Sequence, residues 1–336
     1  MCGGVFKAPP CLILMISYII RRIGQSIVVL FVVSFLCFGI FQFLGDPVLT
    51  LAGRYATQEQ QELVRRTLGL DKPFYVQYAI FIRNILRGDF GLSYTSQVPV
   101  MRMILERFPA SFELALVAMF ISLTLGVVLG VTSSLRPRSV TSRIIMTGSL
   151  FGISLPTFLV GILLILIFSV SLRILPPFGR GEVVRIVGRW RSGLLTLDGL
   201  RHLILPAITL GLYQLAVLLR LTRGGMLEAL AEDYTRTAWA KGLPQRAVIF
   251  KHALRNVLIP VVTMAGLQMG ELIGFSIVTE SIFQWPGMGN LLLTAIYETD
   301  HPVIVAYVML VAGLILFINL AVDILYGILN PKIRYD

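Results

Sequence analysis

The sequence predicts an all-α integral membrane protein with six transmembrane helices, on three observations. Of 336 residues, 56% are hydrophobic and only 14% are charged, whereas a soluble domain carries about 25% charged residues. The mean hydropathy is +0.82. A membrane helix needs about 20 predominantly apolar residues, and runs that meet this need fall at 23–44, 112–134, 144–172, 203–221, 257–279 and 303–329. The last is long enough to tilt or to extend beyond the bilayer.

The formal net charge is +11. The basic residues sit mostly between the apolar runs and interleave with no nucleic-acid-binding signature. Attraction to anionic lipid accounts for them and argues against a nucleic-acid partner. Cytoplasmic loops are enriched in Lys and Arg, which orients the chain. Arg21 and Arg22 precede the first run; Arg136, Arg138 and Arg143 lie around the second-to-third connection. Arg220, Arg223, Arg236, Lys241, Arg246, Lys251 and Arg255 surround the fourth-to-fifth connection, and Lys332 and Arg334 follow the last run. These mark the cytoplasmic side and place both termini there. Arg173, Arg180, Arg185, Arg189, Arg191 and Arg201 on the outer side count against this orientation, whereas the last outer loop carries Glu298 and Asp300 without Lys or Arg. Residues 1–22 then form a cytoplasmic tail, and Met15 is a second candidate start that would leave 1–14 untranslated. No small-residue cleavage site follows the first run, which reads as an uncleaved span.

Along the chain, 45–110 reads as a helical periplasmic segment. Thr57-Gln-Glu-Gln60 resembles a capping box, with Gly69 as the stop. Asp71 is a candidate cap for a second helix with Pro73 in its first turn, and Phe74, Tyr78, Phe81, Ile82 and Ile85 share one face of it. Gln77, Arg83 and Asn84 make this helix too polar to span, so it should pack on the outer face of the membrane domain. In the second span Gly126 and Gly130 form a GxxxG pair for close helix packing. Glu113 and Asp323 lie near helix ends and read as interfacial. Residues 223–256 read as a polar helix from Glu228 through Lys241, a glycine turn at Gly242, and an amphipathic helix entered at Pro244. At 100° per residue Ala247, Phe250, Ala253, Leu254, Val257 and Leu258 form its apolar arc. Pro260 marks where that helix enters the bilayer. The fifth span carries Gly266, Gly270 and Gly274 as a packing stripe, with Gln268 and Glu271 beside them. An intramembrane carboxyl usually faces a cavity or a partner.

No enzyme or metal site stands out. Cys2, Cys11 and Cys37 have no metal-ligand spacing and imply no disulfide framework. His202, His252 and His301 lie near span ends, and none pairs with another at ligand spacing. Ser154, in Phe151-Gly-Ile-Ser-Leu155, is the one nucleophile an intramembrane hydrolase would use, but no histidine lies deep in a span to act as its base. Phosphate-binding Gly-x-x-x-x-Gly-Lys-Ser/Thr is missing from the sequence. A stand-alone channel would need no ATPase partner.

Asp233-Tyr-Thr-Arg-Thr-Ala-Trp-Ala-Lys-Gly-Leu243 and Lys251-His-Ala-Leu-Arg-Asn-Val-Leu-Ile-Pro260 together resemble the cytoplasmic coupling loop of ABC importer permeases, in the form found in dipeptide, oligopeptide and nickel permeases. Arg236-Thr237-Ala238 replaces that family's Glu-Ala-Ala, Gly242 is kept, and Arg255 replaces a proline, as in the peptide subgroup. Gly88-Asp-Phe-Gly-Leu-Ser93, Glu106-Arg-Phe-Pro-Ala-Ser-Phe-Glu-Leu114, Glu280-Ser-Ile-Phe-Gln-Trp-Pro-Gly-Met-Gly289 and Pro331 are similar to the same subgroup in the same order.

The resemblance implies a type I ABC importer permease fold, with a transmembrane domain over 104–329 and a cytoplasmic C-terminus at 330–336. It implies peptide import across a bacterial inner membrane, with no catalytic residue, cofactor or metal in this chain. ATP hydrolysis would fall to two partner ATP-binding cassette subunits. A second homologous permease, in a heterodimer, and a periplasmic or lipid-anchored solute-binding protein would complete the complex. Asp233, Tyr234, Arg236, Thr237, Ala238, Lys241, Gly242 and Leu243 would form the ATPase-coupling loop, with Thr237, Ala238 and Ala240 small enough for close approach to the partner. Gln268 and Glu271 would line the translocation path. Nickel, glutathione or an oligosaccharide are alternative substrates within the fold.

Overall fold

Apolar runs bounded by Pro and Gly dictate most of the elements. The structure, a computed structural model, describes residues 11–43, 57–67 and 71–329. In chain order it has α1 (Cys11–Phe43), α2 (Gln58–Thr67), α3 (Phe74–Leu86), α4 (Val100–Leu135), α5 (Val140–Ser154) and α6 (Thr157–Leu164). A π-helical stretch, Ile165–Ser171, continues α6. A two-stranded antiparallel hairpin follows, β1 (Val184–Val187) with β2 (Trp190–Ser192). Then come α7 (Leu197–Ala231), α8 (Asp233–Ala240), a second π-helical stretch Ala247–Ala253, α9 (Leu254–Gly274), α10 (Ile277–Ile282), α11 (Met288–Tyr297) and α12 (His301–Leu329).

Among the described residues five helices are long and apolar enough to cross a membrane: Ile19–Gly39, Val100–Leu135, Leu197–Ala231, Ala247–Gly274 and His301–Leu325. The expected third span, 144–172, is not one continuous helix. It is the pair α5 and α6–π, bent by 109°. Pro156 causes the break. A residue before proline is pushed out of the helical region, and Leu155 is extended at φ −83°, ψ 131°. Hydropathy misses this because both halves are apolar. Other bounds differ too. Helix α1 begins at Cys11, inside the expected tail; α4 begins at Val100; and α7 continues to Ala231. Polar residues next to an apolar run extend its helix, since backbone bonding does not stop at the edge of the lipid. The expectations for residues 1–10, Gly69 and 330–336 lie outside the described residues.

The Thr57 capping box forms. Gln60 N donates to Thr57 Oγ1 at 3.4 Å and Thr57 N donates to Gln60 Oε1 at 3.0 Å. Asp71 does not cap α3. Pro73 holds the N-cap position with no side-chain bond, and its carbonyl accepts from Val76 N and Gln77 N. Helix α3 lies on α1 through aromatic side chains: Tyr78 packs edge-on to Phe31 and Phe35, and Phe38 meets Phe74 and Phe81 with centroids 5.2 and 5.3 Å apart.

Helices α4 and α7 form the most extensive helix pair, running parallel. A Cβ on Gly126 would stand 3.0 Å from Leu218 Cβ, and one on Gly130 would stand 2.6 Å from Thr222 Cβ and 2.9 Å from the Leu219 carbonyl. On the same seam, Ser122 Oγ donates to the Gly211 carbonyl at 2.7 Å. Antiparallel α9 packs on α7 where Gly225 faces Val257, and α12 packs on α9. Helix α1 joins the edge through α12, and Arg22 meets Asp323 at 3.1 Å. The start of the first span and the end of the last therefore lie on one side of the bundle.

Overpacking a close helix contact costs about 1–3 kcal/mol. Gly130→Val should therefore lower the thermal stability of the detergent-purified chain, or prevent its folding. A Cβ on Gly148 in α5 meets nothing within 4 Å, so Gly148→Ala should leave the melting temperature nearly unchanged. Equal melting curves for the two variants would contradict the packing described.

Candidate functional site

The fourth-to-fifth connection builds a short exposed helix on a rigid mount. Glu232, at φ −70° and ψ 151°, ends α7 and turns the chain, so the polar helix expected from Glu228 through Lys241 is in fact two helices. Thr235 is fully buried and its Oγ1 donates to the Ala229 carbonyl at 2.6 Å, tying α8 back to α7. Ala238 is buried one turn later. It therefore packs within this chain, contrary to the expectation that it would allow close approach to a partner. Asp233, Tyr234, Arg236, Thr237, Trp239, Ala240 and Lys241 are exposed. Arg236 stands 3.6 Å from Asp233, a surface pair worth little to stability. Trp239, 45% exposed, was not singled out in the sequence, although a large aromatic beside Arg and Lys is a usable signal.

Glycine ends α8 with a Schellman pattern. Gly242 N donates to the Trp239 carbonyl at 2.9 Å and Leu243 N to the Ala238 carbonyl at 3.4 Å. Gly242 takes φ +72°, with nothing within 4 Å of where a Cβ would stand. The demand for glycine here is conformational and not steric. Leu243 is half-buried. The next helix starts behind Pro244, whose carbonyl accepts from Ala247 N and Val248 N.

The expected apolar arc of that helix turns inward at Ala253 and Val257, which are buried, and at Ala247, Leu254 and Leu258, which are half-buried, but not at Phe250. Val248, Ile249 and Ala253 are buried, whereas Phe250 is 58% exposed. A π-helical turn bonds i to i+5 and winds by less than 100° per residue, so a 3.6-residue template misplaces Phe250 and leaves out Val248 and Ile249. Beyond it, the α9 glycines face α12: a Cβ on Gly266 would overlap Val322, one on Gly270 would stand 3.3 Å from Ile315, and one on Gly274 would stand 3.2 Å from Val311. Gln268 is buried, and its Oε1 has no partner among the described residues. Glu271 is exposed. The two residues grouped by sequence thus have different surroundings. Glu271 reaches the chain's outer surface, and Gln268 does not.

At the far end of the bundle, polar brackets fasten the segments around α10 and α11. Ser111 Oγ donates to Glu280 Oε1 at 2.6 Å, as does Ser276 Oγ at 2.8 Å; Asn290 N donates to Glu280 Oε2 at 3.0 Å. Burial pushes the Glu280 carboxyl up, while these donors pull it down. Trp285 Nε1 donates to the Ala110 carbonyl at 2.9 Å, and Met288 N to Ser111 Oγ at 2.7 Å. Asp300 accepts from Ser93 Oγ, from Tyr94 N at 3.1 Å and from Thr95 Oγ1 at 2.9 Å. Glu113, expected to be interfacial, is buried and paired with Arg180 at 2.7 Å; the same Arg180 nitrogen donates to the Arg191 carbonyl. Three motifs far apart in sequence (88–93, 106–114 and 280–289) are thus brought to one end of the bundle. Ser154 ends α5 at the bend. Among the described residues no group of three His, Cys, Asp or Glu could hold a metal.

Two family models match the chain: "Binding-protein-dependent transport system inner membrane component" over residues 122–335, and its N-terminal companion over 15–115. Curated relatives match at nearly full length. The chain is 44% identical to the di/tripeptide transport system permease protein DppB of Pseudomonas aeruginosa, over 96% of this chain and 100% of that protein. It is 40% identical to the dipeptide transport system permease protein DppB of Escherichia coli K12, over 96% and 99%. It is 42% identical to the glutathione transport system permease protein GsiC of Escherichia coli K12, over 96% and 100%.

Removing one partner of a buried ion pair strands the other charge, at a cost of about 3–5 kcal/mol. Arg180→Met alone should therefore destabilise the chain strongly, whereas Arg180→Met with Glu113→Leu should recover most of the loss. Thermal unfolding of purified single and double variants measures this. Additive losses would show that the pair is not coupled.

Proposed function

Because the chain belongs to the family of binding-protein-dependent transport system inner membrane components, we propose that it is the permease subunit of an ABC importer that moves short peptides across a bacterial inner membrane. The supporting observation is the near full-length likeness to di/tripeptide and dipeptide permeases. The relative at 42% identity with a glutathione permease supports a second reading, import of glutathione. The domain over 104–329 would work beside a second, homologous permease, with ATP hydrolysed on two cassette subunits and substrate delivered by a solute-binding protein.

In this reading α8 is the part held by an ATPase subunit. Its outer face offers Tyr234, Arg236, Thr237, Trp239 and Lys241, and its inner face is fixed by Thr235 and Ala238. Motion of α8 passes to Val248 and Ile249, then along α9 to the glycine contacts with α12. A lever needs fixed ends, and the Gly242 cap supplies one of them. The Lys- and Arg-rich connections support a cytoplasmic position for α8 and for both termini. Glu271, exposed on α9, is the path-lining candidate that faces the neighbouring permease or the substrate.

The decisive test is at Gly242. A left-handed residue costs about 1 kcal/mol more for Ala than for Gly, and more for a β-branched side chain. Gly242→Val should leave the chain inserted but abolish dipeptide uptake, with cassette subunits co-purifying poorly or hydrolysing ATP without response to loaded binding protein. Gly242→Asn, which tolerates this backbone conformation, should retain uptake. Wild-type uptake and full ATPase stimulation in Gly242→Val would overturn the coupling role. Parallel uptake of labelled dipeptide and glutathione separates the two substrate readings.

Glu271→Gln should change the rate or the substrate preference while the complex still assembles. Unaltered transport of every peptide tested would remove it from the path.

A further inference from the structure

A groove of about 500 Å³ lies between α1 and α3, within the roughly 300–1,000 Å³ of small-ligand sites. Its apolar lining is Phe31, Tyr78, Ala79, Ile82 and Leu86, and the exposed Arg83 and Arg87 complete it. Phe31, 56% exposed, belongs to the candidate span Ile19–Gly39, so the groove opens onto an exposed apolar face of a helix that is long and apolar enough to cross a membrane. Leu86 at the other end is 82% exposed. The groove is held open by fixed side chains. Tyr78 packs on Phe31 and Phe35, and its hydroxyl shares a 2.8 Å hydrogen bond with Ser34 Oγ, which donates in turn to the Phe31 carbonyl. Both arginines are exposed and form no ion pair among the described residues. The nearby carboxylate, Asp89, accepts from Gly91 N in its own turn. An apolar lining that includes a spanning-helix residue and two exposed guanidiniums one helical turn apart, without ion-pair partners among the described residues, matches the two parts of a phospholipid, an acyl chain and an anionic head.

We propose that this groove binds one anionic phospholipid, with an acyl chain along Phe31, Ile82 and Leu86 and the phosphate between Arg83 and Arg87. The lipid would brace α3 against α1, filling a gap that aromatic packing leaves. Charge complementarity selects this occupant, since a neighbouring protein helix would leave both arginines without counter-charge. The inference does not depend on the transport reading.

The test uses the full chain in phosphatidylcholine vesicles doped with a photoactivatable lipid that carries a diazirine on its acyl chain. Cross-linked peptides are mapped by mass spectrometry. The phosphatidylglycerol probe should label 74–86 and the region of Phe31 roughly ten-fold or more above the phosphatidylcholine probe, as two arginines near an anionic head would give. Arg83→Gln with Arg87→Gln should remove that preference, while labelling of the exposed face around Phe120 stays unchanged. Ile82→Trp should fill the groove and reduce labelling by both probes there. Equal labelling by the two probes in the unaltered chain would overturn the proposal, as would a preference surviving in the double arginine variant. Competition by soluble glycerol phosphate, with no acyl chain, would also overturn it. So would a photo-cross-linker at Ala79 that captures a protein subunit in native membranes and no lipid.

Discussion

The close parallel pairing of α4 with α7 is the constraint on which the other contacts depend. In lipid, apolar surface gains nothing by leaving one apolar environment for another, so helices associate through dispersion contacts and hydrogen bonds at short range. Gly126, Gly130 and Gly211 remove the side chains that would hold the two backbones apart. Ser122 then reaches across to the Gly211 carbonyl. Once α7 is placed, Gly225 admits Val257 and positions α9, and the α9 glycines admit α12. Each step is a small residue on one helix receiving a branched residue from the next. The bundle is built by shape more than by hydrophobic burial.

The two ends of the bundle solve a different problem. There the chain leaves regular helix, and its polar groups need partners away from water. At one end Glu280, Asp300 and the Arg180–Glu113 pair draw hydroxyls and backbone N–H groups from distant segments. Glu280 and Ser111 are 169 residues apart in sequence. These brackets hold α10, α11 and the hairpin to α4, which makes that end stiff. At the other end, α8 has only two inward anchors and a glycine cap, and most of its surface is open. A well-braced end thus lies opposite an exposed helix held by two buried residues and a glycine cap.

The two π-helical stretches fall where helices meet a bend or a loop. Ile165–Ser171 closes the broken pair, and Ala247–Ala253 joins α8 to α9. Each changes the face presented to the core by winding more slowly than an α-helix. At the second stretch Phe250 is exposed and Val248 is buried.

Apolar runs, glycine stripes and caps were legible from sequence alone, because each depends on local chemistry or on a short period. The spans, the Thr57 capping box, the Gly126–Gly130 seam and the turn at Gly242 are of this kind. Position within a helix was less legible. Phe250 falls outside the face that a 3.6-residue template assigns, since the π-helical winding shifts the phase, and the small size of Ala238 did not tell that it packs inward beside Thr235. The 109° bend at Pro156 could be suspected from the proline, but its size depends on how α6 packs: Gly161 lies against Phe283 and Thr209. Partners across the chain were not legible at all. Glu113 reads as an interfacial carboxylate until the hairpin carries Arg180 to it, and Asp300 reads as a loop acid until Ser93 and Thr95 arrive. Local sequence specifies what a segment can do by itself; a buried charge or hydroxyl needs a counterpart, and only the tertiary structure decides which distant residue supplies it.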